Sequence, residues 1–250
     1  MLKDSWEQDS WDDLKDEAKP ILVKSAWFKD PLILVGTYGW EGEYPIYWDL
    51  LEKFAQKVKD WVKSDHQAVI VISGRTGTGK SNLGIQLART LNRDWDIHTN
   101  LLYGQADLSS KLRMKNPDPV NLFDEGSMIF NSLDTISKEG KNLAVLFDML
   151  RSRHMISIIV LPDDAELNKR ISKHVDWWLE CPSEAPIPGY GPRGFFHVRD
   201  RTVYRKSGKV WENLLGTGVF PPISKKMDNI YQAIKREKQD EYMRSIGVLE

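Results

Sequence analysis

The stretch GRTGTGKS, residues 74–81, decides how this chain is read. It meets the pattern G-x-x-x-x-G-K-[ST] at every fixed position, with Gly74, Gly79, Lys80 and Ser81. Glycines let the backbone curl so that successive N–H groups point inward at an anion. A helix starting where the loop ends brings the positive end of its dipole to the same place. The flanks supply that setting. HQAVIVISG (66–74) is an apolar, β-branched run ending at the first glycine, as a buried parallel strand does. SNLGIQLARTLN (81–92) then places Leu83, Ile85, Leu87 and Leu91 in a mostly helical pattern. Nucleotide binding is therefore expected at Gly74, Arg75, Thr76, Gly77, Thr78, Gly79, Lys80, Ser81 and Asn82. In this pattern Lys80 reaches the β- and γ-phosphates, and the Ser81 hydroxyl enters the shell of a bound Mg²⁺.

Outward from the loop, strands and helices alternate. IYWDLLEKFAQKVKDWVK (46–63) carries Ile46, Leu50, Leu51, Phe54, Val58, Trp61 and Val62 on one helical face. DIHTNLLYG (96–104) reads as a strand, ADLSSKLRMK (106–115) as a short helix, and PVNLFDE (119–125) as a strand ending in two acids. GKNLAVLFDMLRSR (140–153) reads as a helix and ISIIVLP (156–162) as a buried strand. Such alternation predicts an α/β fold with a mostly parallel sheet flanked by helices. The texture changes after Cys181. PSEAPIPGYGPRG (182–194) is a loop, and GFFHVRDRTVYRKSGKVWEN (194–213) reads as a hairpin or meander with turns near Asp200-Arg201 and Ser207-Gly208. The tail shows Ile223, Met227, Ile230 and Ile234 at helical spacing, with Lys225, Lys226, Lys235, Arg236 and Lys238 around them. The expected division is an N-terminal arm and amphipathic helix (1–64), a nucleotide-binding core (65–182), and a C-terminal hairpin and helix packed on that core (183–250).

Composition narrows the class. A chain of 250 residues can bury about 70–75% of its unfolded surface. The single Cys181 excludes an internal disulfide and a cysteine metal cluster, and points to a reducing, cytoplasmic location. No apolar run approaches the length of a membrane span, so none is expected. Net charge is −1, which excludes a global polyanion-binding field. Locally the charge is uneven: residues 1–19 hold seven acids against three lysines, and 193–250 hold twelve Lys or Arg against seven acids. Six of the ten tryptophans precede residue 62, with Trp6 and Trp11 in the acidic segment, which reads as an arm that packs on this chain or on a neighbour.

A hydrolase needs acids beside the phosphate. VNLFDE supplies Asp124 for the Mg²⁺ shell and Glu125 to polarise a water for attack on the γ-phosphate. Asn121 interrupts the apolar run of that strand. Arg151 and Arg153 lie where a helix runs into a strand; with Arg170 they are candidates for an arginine handed to a neighbouring subunit's γ-phosphate, against the plain alternative of surface arginines. Asp163 is the nearest polar group beyond the strand 156–162.

GRTGTGKS, LFDEGSMIF, the helix running into SRH, ISIIVLP and DAELNKRISKHVDWWLE together resemble the additional-strand P-loop ATPases (RecA/ASCE-like), and within them the FtsK–HerA-like group over roughly residues 66–181. The SRH-strand-Pro portion is most similar to the Zot-like branch of filamentous-phage assembly. The resemblance implies a homo-oligomeric, often hexameric, ATP-driven motor that moves DNA or extrudes virions, with hydrolysis carried by Lys80, Ser81, Asp124 and Glu125. Two departures stand out: Pro162 occupies the position where HerA-type motors usually place Gln, and the membrane segment common in Zot-like proteins has no counterpart. The hairpin bearing Arg199, Arg201, Arg205 and Lys206 among Phe195, Phe196 and Tyr204 is a candidate DNA contact, or else an ordinary hairpin with core aromatics. Three other functions compete with the motor. They are an initiator or loader of the AAA+ type using ATP as an assembly switch, a small-molecule kinase, and a nucleotide-dependent interaction protein without turnover.

Overall fold

The computed structural model describes residues 21–24, 31–35, 44–47, 49–103, 107, 110–111, 113–114, 119–125, 153–162, 172–184, 193–203 and 210–245. The acidic arm with Trp6 and Trp11, the helix expected over 140–153 up to Arg151, Asp163, Arg170 and the Ser207-Gly208 turn lie outside them.

Among the described residues ten strands form one sheet: β1 (Ile21–Lys24), β2 (Pro31–Val35), β3 (Tyr44–Tyr47), β4 (Ala68–Gly74), β5 (Leu101–Leu102), β6 (Val120–Phe123), β7 (Ile156–Val160), β8 (Trp177–Cys181), β9 (Phe195–Val203) and β10 (Val210–Val219). Their spatial order is β1-β2-β3-β10-β9-β8-β4-β7-β6-β5. The half β8-β4-β7-β6-β5 is entirely parallel. β9 runs antiparallel to both β8 and β10. Beyond them β3 joins parallel to β10, and β2 and β1 follow as an antiparallel meander.

The helices described in full are α1 (Leu50–Lys63), α2 (Lys80–Leu91), the single turn α3 (Ile97–Asn100) and α4 (Lys225–Ser245). Two of them open on a side-chain cap. Asp96 accepts the His98 N–H at 3.1 Å and opens α3. Pro221-Pro222 ends the preceding extended segment, and the Ser224 carbonyl and hydroxyl accept from Asp228 and Met227 at 2.9 and 3.3 Å to open α4.

One face of the parallel strands shows Ala68, Ile70, Ile72, Leu122, Ile158 and Leu179, all buried in one cluster with Leu51, Phe54 and Val58 of α1 and Leu83 and Leu87 of α2. The other face, with Val71, Phe123 and Ile159, is equally buried. A parallel sheet covered on both sides needs such unbroken apolar strands. Gly84 sets how closely α2 lies on it: a Cβ there would come within 2.9 Å of Leu122 Cδ1 and 3.4 Å of Val160 Cγ2. α1 anchors through Phe54, whose ring meets Trp177 edge-on at 5.7 Å. Asn121 fits β6 despite its polarity; it is fully buried, and its side-chain amide finds no hydrogen-bond partner among the described residues.

Four expectations are corrected. The N-terminal extension is not only helical, since residues 21–47 contribute three strands to the sheet. Ile46 belongs to β3 and not to the helix face; α1 begins after it, at Leu50. The strand expected over 96–104 is the short helix α3 followed by two strand residues. Asp200 and Arg201 sit inside β9, paired with Asn213 and Glu212, so no turn falls there. Among the described residues no helix is long and apolar enough to cross a membrane.

Phe54→Ala removes a fully packed ring between α1 and the sheet. A loss of about 3–5 kcal/mol in unfolding free energy is expected in urea titration.

Candidate functional site

The parallel strands place the ends of β4, β6 and β7 on one edge, where open α/β sheets bind ligands. β4 ends in the glycine loop. Gly74, Gly77 and Gly79 have φ of +144°, +88° and +95°, values that L side chains rarely adopt. At Gly74 a side chain is excluded twice over, because a Cβ would sit 2.4 Å from the Cys181 carbonyl oxygen. The loop passes into α2 with Gly79 as its N-cap, and no side chain caps that helix and no acid lies in its first turn. Its leading N–H groups are therefore left for an anion. Thr78 Oγ1 donates to Arg75 O at 2.8 Å and tightens the curl.

Lys80 Nζ donates to Gly74 O at 2.7 Å and Arg75 O at 3.0 Å, which tethers the ammonium over the loop. Burial lowers its pKa, while the thiol of Cys181 and the carboxylates of Glu125 and Asp124 oppose that shift. Ser81 Oγ donates to Asp124 Oδ1 at 2.9 Å. Asp124 is 1% exposed. Its other oxygen, Oδ2, accepts from Tyr231 OH at 2.6 Å and Tyr103 OH at 3.3 Å. Burial and the neighbouring Asp124 charge push both phenols well above their ordinary range, so both act as donors. Glu125 follows with φ +52°, an uncommon value for a side-chain-bearing residue that turns the chain sharply at the strand end. Glu125 Oε1 accepts from Lys235 Nζ at 2.6 Å.

These groups line one open cleft of about 260 Å³, which also takes in Thr76, Gly77, Asn82, Pro162 and Arg193. The structure thus brings the phosphate loop, Lys80, Ser81, Asp124 and Glu125 together. It does not bring Arg153 to them. That residue is exposed and precedes β7, at the sheet edge opposite the loop, roughly 15 Å of strand away. Within one chain Arg153 is remote from the cleft; Arg151 lies outside the described residues.

Tyr103, Tyr231, Lys235 and Arg193 were not legible as site residues. The only sequence signal was that Tyr231 and Lys235 stand four apart in α4, beside the apolar stripe and on an adjoining line of the helix. The basic hairpin resolves differently from a base-stacking platform. Phe195 and Phe196 are buried core residues, and Arg199 forks onto Glu180 Oε2 at 2.9 and 3.0 Å. Arg201 lies over the Trp178 ring at 5.1 Å. Tyr204, Arg205 and Lys206 lie outside the described residues.

A strand, glycine loop and helix at the carboxyl edge of a parallel sheet, with the acidic strand separated from the loop strand by one inserted strand, define a P-loop NTPase fold of the additional-strand type. No family model matches the chain, and no curated protein matches it in sequence. Among solved structures it is similar to the genome packaging NTPase B204 of Sulfolobus turreted icosahedral virus 2 in complex with ATP-gammaS, at 12% identity over 63% of this chain and 98% of that one, TM-score 0.37. It is also similar to the N-terminal domain of zonular occludens toxin from Neisseria meningitidis, at 11% identity over 65% and 98%, TM-score 0.37. A KaiC-like protein of Pyrococcus horikoshii OT3 is a further likeness, at 11% identity over 62% and 89%, TM-score 0.33. The fold follows from the chain's own strand order and loop geometry.

Burial pushes the Cys181 thiol up to about 12. At pH 8 only about one thiol in ten thousand is then ionised, so alkylation of the folded protein should run at least about a hundredfold slower than in denaturant. Gly74→Ala displaces the Cys181 carbonyl and should abolish this protection; mass spectrometry of the timed reaction reads both.

Proposed function

We propose that this protein is a Mg²⁺-dependent ATPase, working as an oligomeric motor on DNA. The observation that carries the hydrolytic part is the convergence of Lys80, Ser81, Asp124 and Glu125 on one cleft at the carboxyl edge of the sheet. The motor part rests on the resemblance of the sequence to DNA-translocating and virion-extruding ATPases. Residues 65–182 serve as the catalytic unit, with the segments on either side as its extensions.

The loop amides and Lys80 bind and orient the β- and γ-phosphates. Ser81 Oγ and Asp124 Oδ1, 2.9 Å apart, are a hydroxyl and a carboxylate that suit a small hard cation taking oxygen ligands. An ion held there would supply neutralising charge to the phosphates. Tyr103 and Tyr231 fix the second Asp124 oxygen, so the carboxylate keeps a single orientation. Glu125 orients the attacking water and accepts its proton. Arg153, remote from the cleft within one chain, is left to serve a neighbouring subunit's site. The contact of Lys235 with Glu125 favours a second reading, a nucleotide-dependent switch in which turnover is held low.

ATP turnover with Mg²⁺, measured with and without single- and double-stranded DNA, separates the two. Turnover that rises with DNA is expected, and a rate indifferent to DNA while ATP binds gives precedence to the switch. Glu125→Gln should bind ATP and lose about a hundredfold or more in rate. Lys80→Ala should lose nucleotide affinity itself.

A further inference from the structure

The last helix crosses the cleft that holds the phosphate loop. Four contacts place it there. Ile223, just before α4, is buried in the core. Gln86 of α2 donates to the Pro221 carbonyl. Tyr231 donates to Asp124 at 2.6 Å, and Lys238 Nζ lies 3.4 Å from Asp107 Oδ1. α4 is seated on the site at both ends of its first half, so what it presents there is held in place.

It presents an ammonium. Lys235 Nζ sits 2.6 Å from Glu125 Oε1, 3.4 Å from Tyr231 OH and 3.9 Å from Asp124 Oδ2. It lines the same cleft as Lys80 and Ser81, with its side chain only 23% exposed. Beside Lys80 and Arg193, the cleft thus holds a further cation that the phosphate-loop pattern does not require. Lysine is a compact charge on a flexible four-carbon stem, able to change partners without backbone movement. Its present partner is one carboxylate oxygen of the very residue placed to orient water. A terminal phosphate carries close to two negative charges and three acceptor oxygens, and outcompetes a single carboxylate for an ammonium within reach.

We propose that Lys235 reads the terminal phosphate of a bound nucleoside triphosphate: the γ-phosphate draws the ammonium away from Glu125, which frees that carboxylate for water. A diphosphate's own terminal phosphate carries the same charge but ends one phosphate short, within the loop, and leaves the Lys235–Glu125 pair intact. Lys235 is then a positioning residue for Glu125 and a direct ligand of the phosphate. This inference rests on the nucleotide-hydrolysing reading of the cleft.

The test is equilibrium titration of the full chain with Mg²⁺ and either ADP or a non-hydrolysable ATP analogue. Lys235→Met should weaken the triphosphate about tenfold, the scale of one charged hydrogen bond, and leave ADP within about twofold. Lys235→Arg should restore the preference for triphosphate. Glu125→Gln, which removes the competing charge and leaves Lys235 in place, should tighten ATP relative to ADP. Lys226→Gln, exposed on the same helix and not among the residues that line the cleft, should alter neither affinity. A triphosphate-to-diphosphate ratio equal in wild type and Lys235→Met overturns the inference and leaves the ATPase reading standing. Wild-type protein that binds neither nucleotide overturns both. Should Lys235→Met fail to fold, the Glu125→Gln shift decides alone: a ratio unmoved or moved toward ADP overturns the inference.

Discussion

The carboxylate of Asp124 is the point on which the architecture turns. Taking such a group out of water costs several kcal/mol unless hydrogen bonds replace the lost hydration. Here the replacements come from three separate parts of the chain: Ser81 in the phosphate-loop helix, Tyr103 after β5 and Tyr231 in α4. None of the three is a sheet residue. The acid at the end of β6 therefore binds the loop helix, the short edge strand and the last helix into one body. Removing it would leave three buried or half-buried hydroxyls without their acceptor, in addition to removing a charge.

The order of strands makes this possible. β7 lies between β4 and β6, which puts the two functional strands about 10 Å apart. Ser81 nonetheless reaches Asp124, because the loop carries α2 back across the end of β7 and Gly84 lets the helix lie close over Leu122 and Val160. The space opened between the strands is where Pro162 and the cleft lie. A glycine in the middle of a helix ordinarily weakens it by roughly 1 kcal/mol relative to alanine. Here the same residue sets the distance between phosphate loop and acid.

The phosphate loop could be read from sequence because its chemistry dictates residue types at fixed spacing: glycine where φ is positive, lysine and serine at the helix start. The acid pair could be read because a strand end at the carboxyl edge is the one place such acids are useful. Both rest on local pattern. The contacts of Tyr231 and Lys235 do not, since their partners Asp124 and Glu125 lie 107 and 110 residues away and the helix pattern advertises only its apolar stripe. The N-terminal strands were hidden for a different reason. Pro31 opens β2 and Pro45 stands within β3, and proline normally argues against a paired strand. Asp200-Arg201 looked like a turn because charged polar pairs often make one, yet Arg201 is held by the Trp178 face and by the Ser172 carbonyl at 3.0 Å. Tertiary partners decided these elements, and no local pattern contains them.

The parallel pairing of β3 with β10 has a bearing on how the chain assembles. Among the described residues, β3 joins the strands of residues 21–47 to the sheet by pairing Ile46 and Tyr47 with Thr217 and Gly218 of β10. β3 precedes the whole parallel half in the chain and β10 follows it. The strands of that half lie between Ala68 and Cys181, and its pairings close shorter loops. Joining Ile46 to Thr217 closes a loop of about 170 residues, whose entropy falls due before any contact repays it. The N-terminal strands are thus the part of the sheet whose pairing the topology delays most.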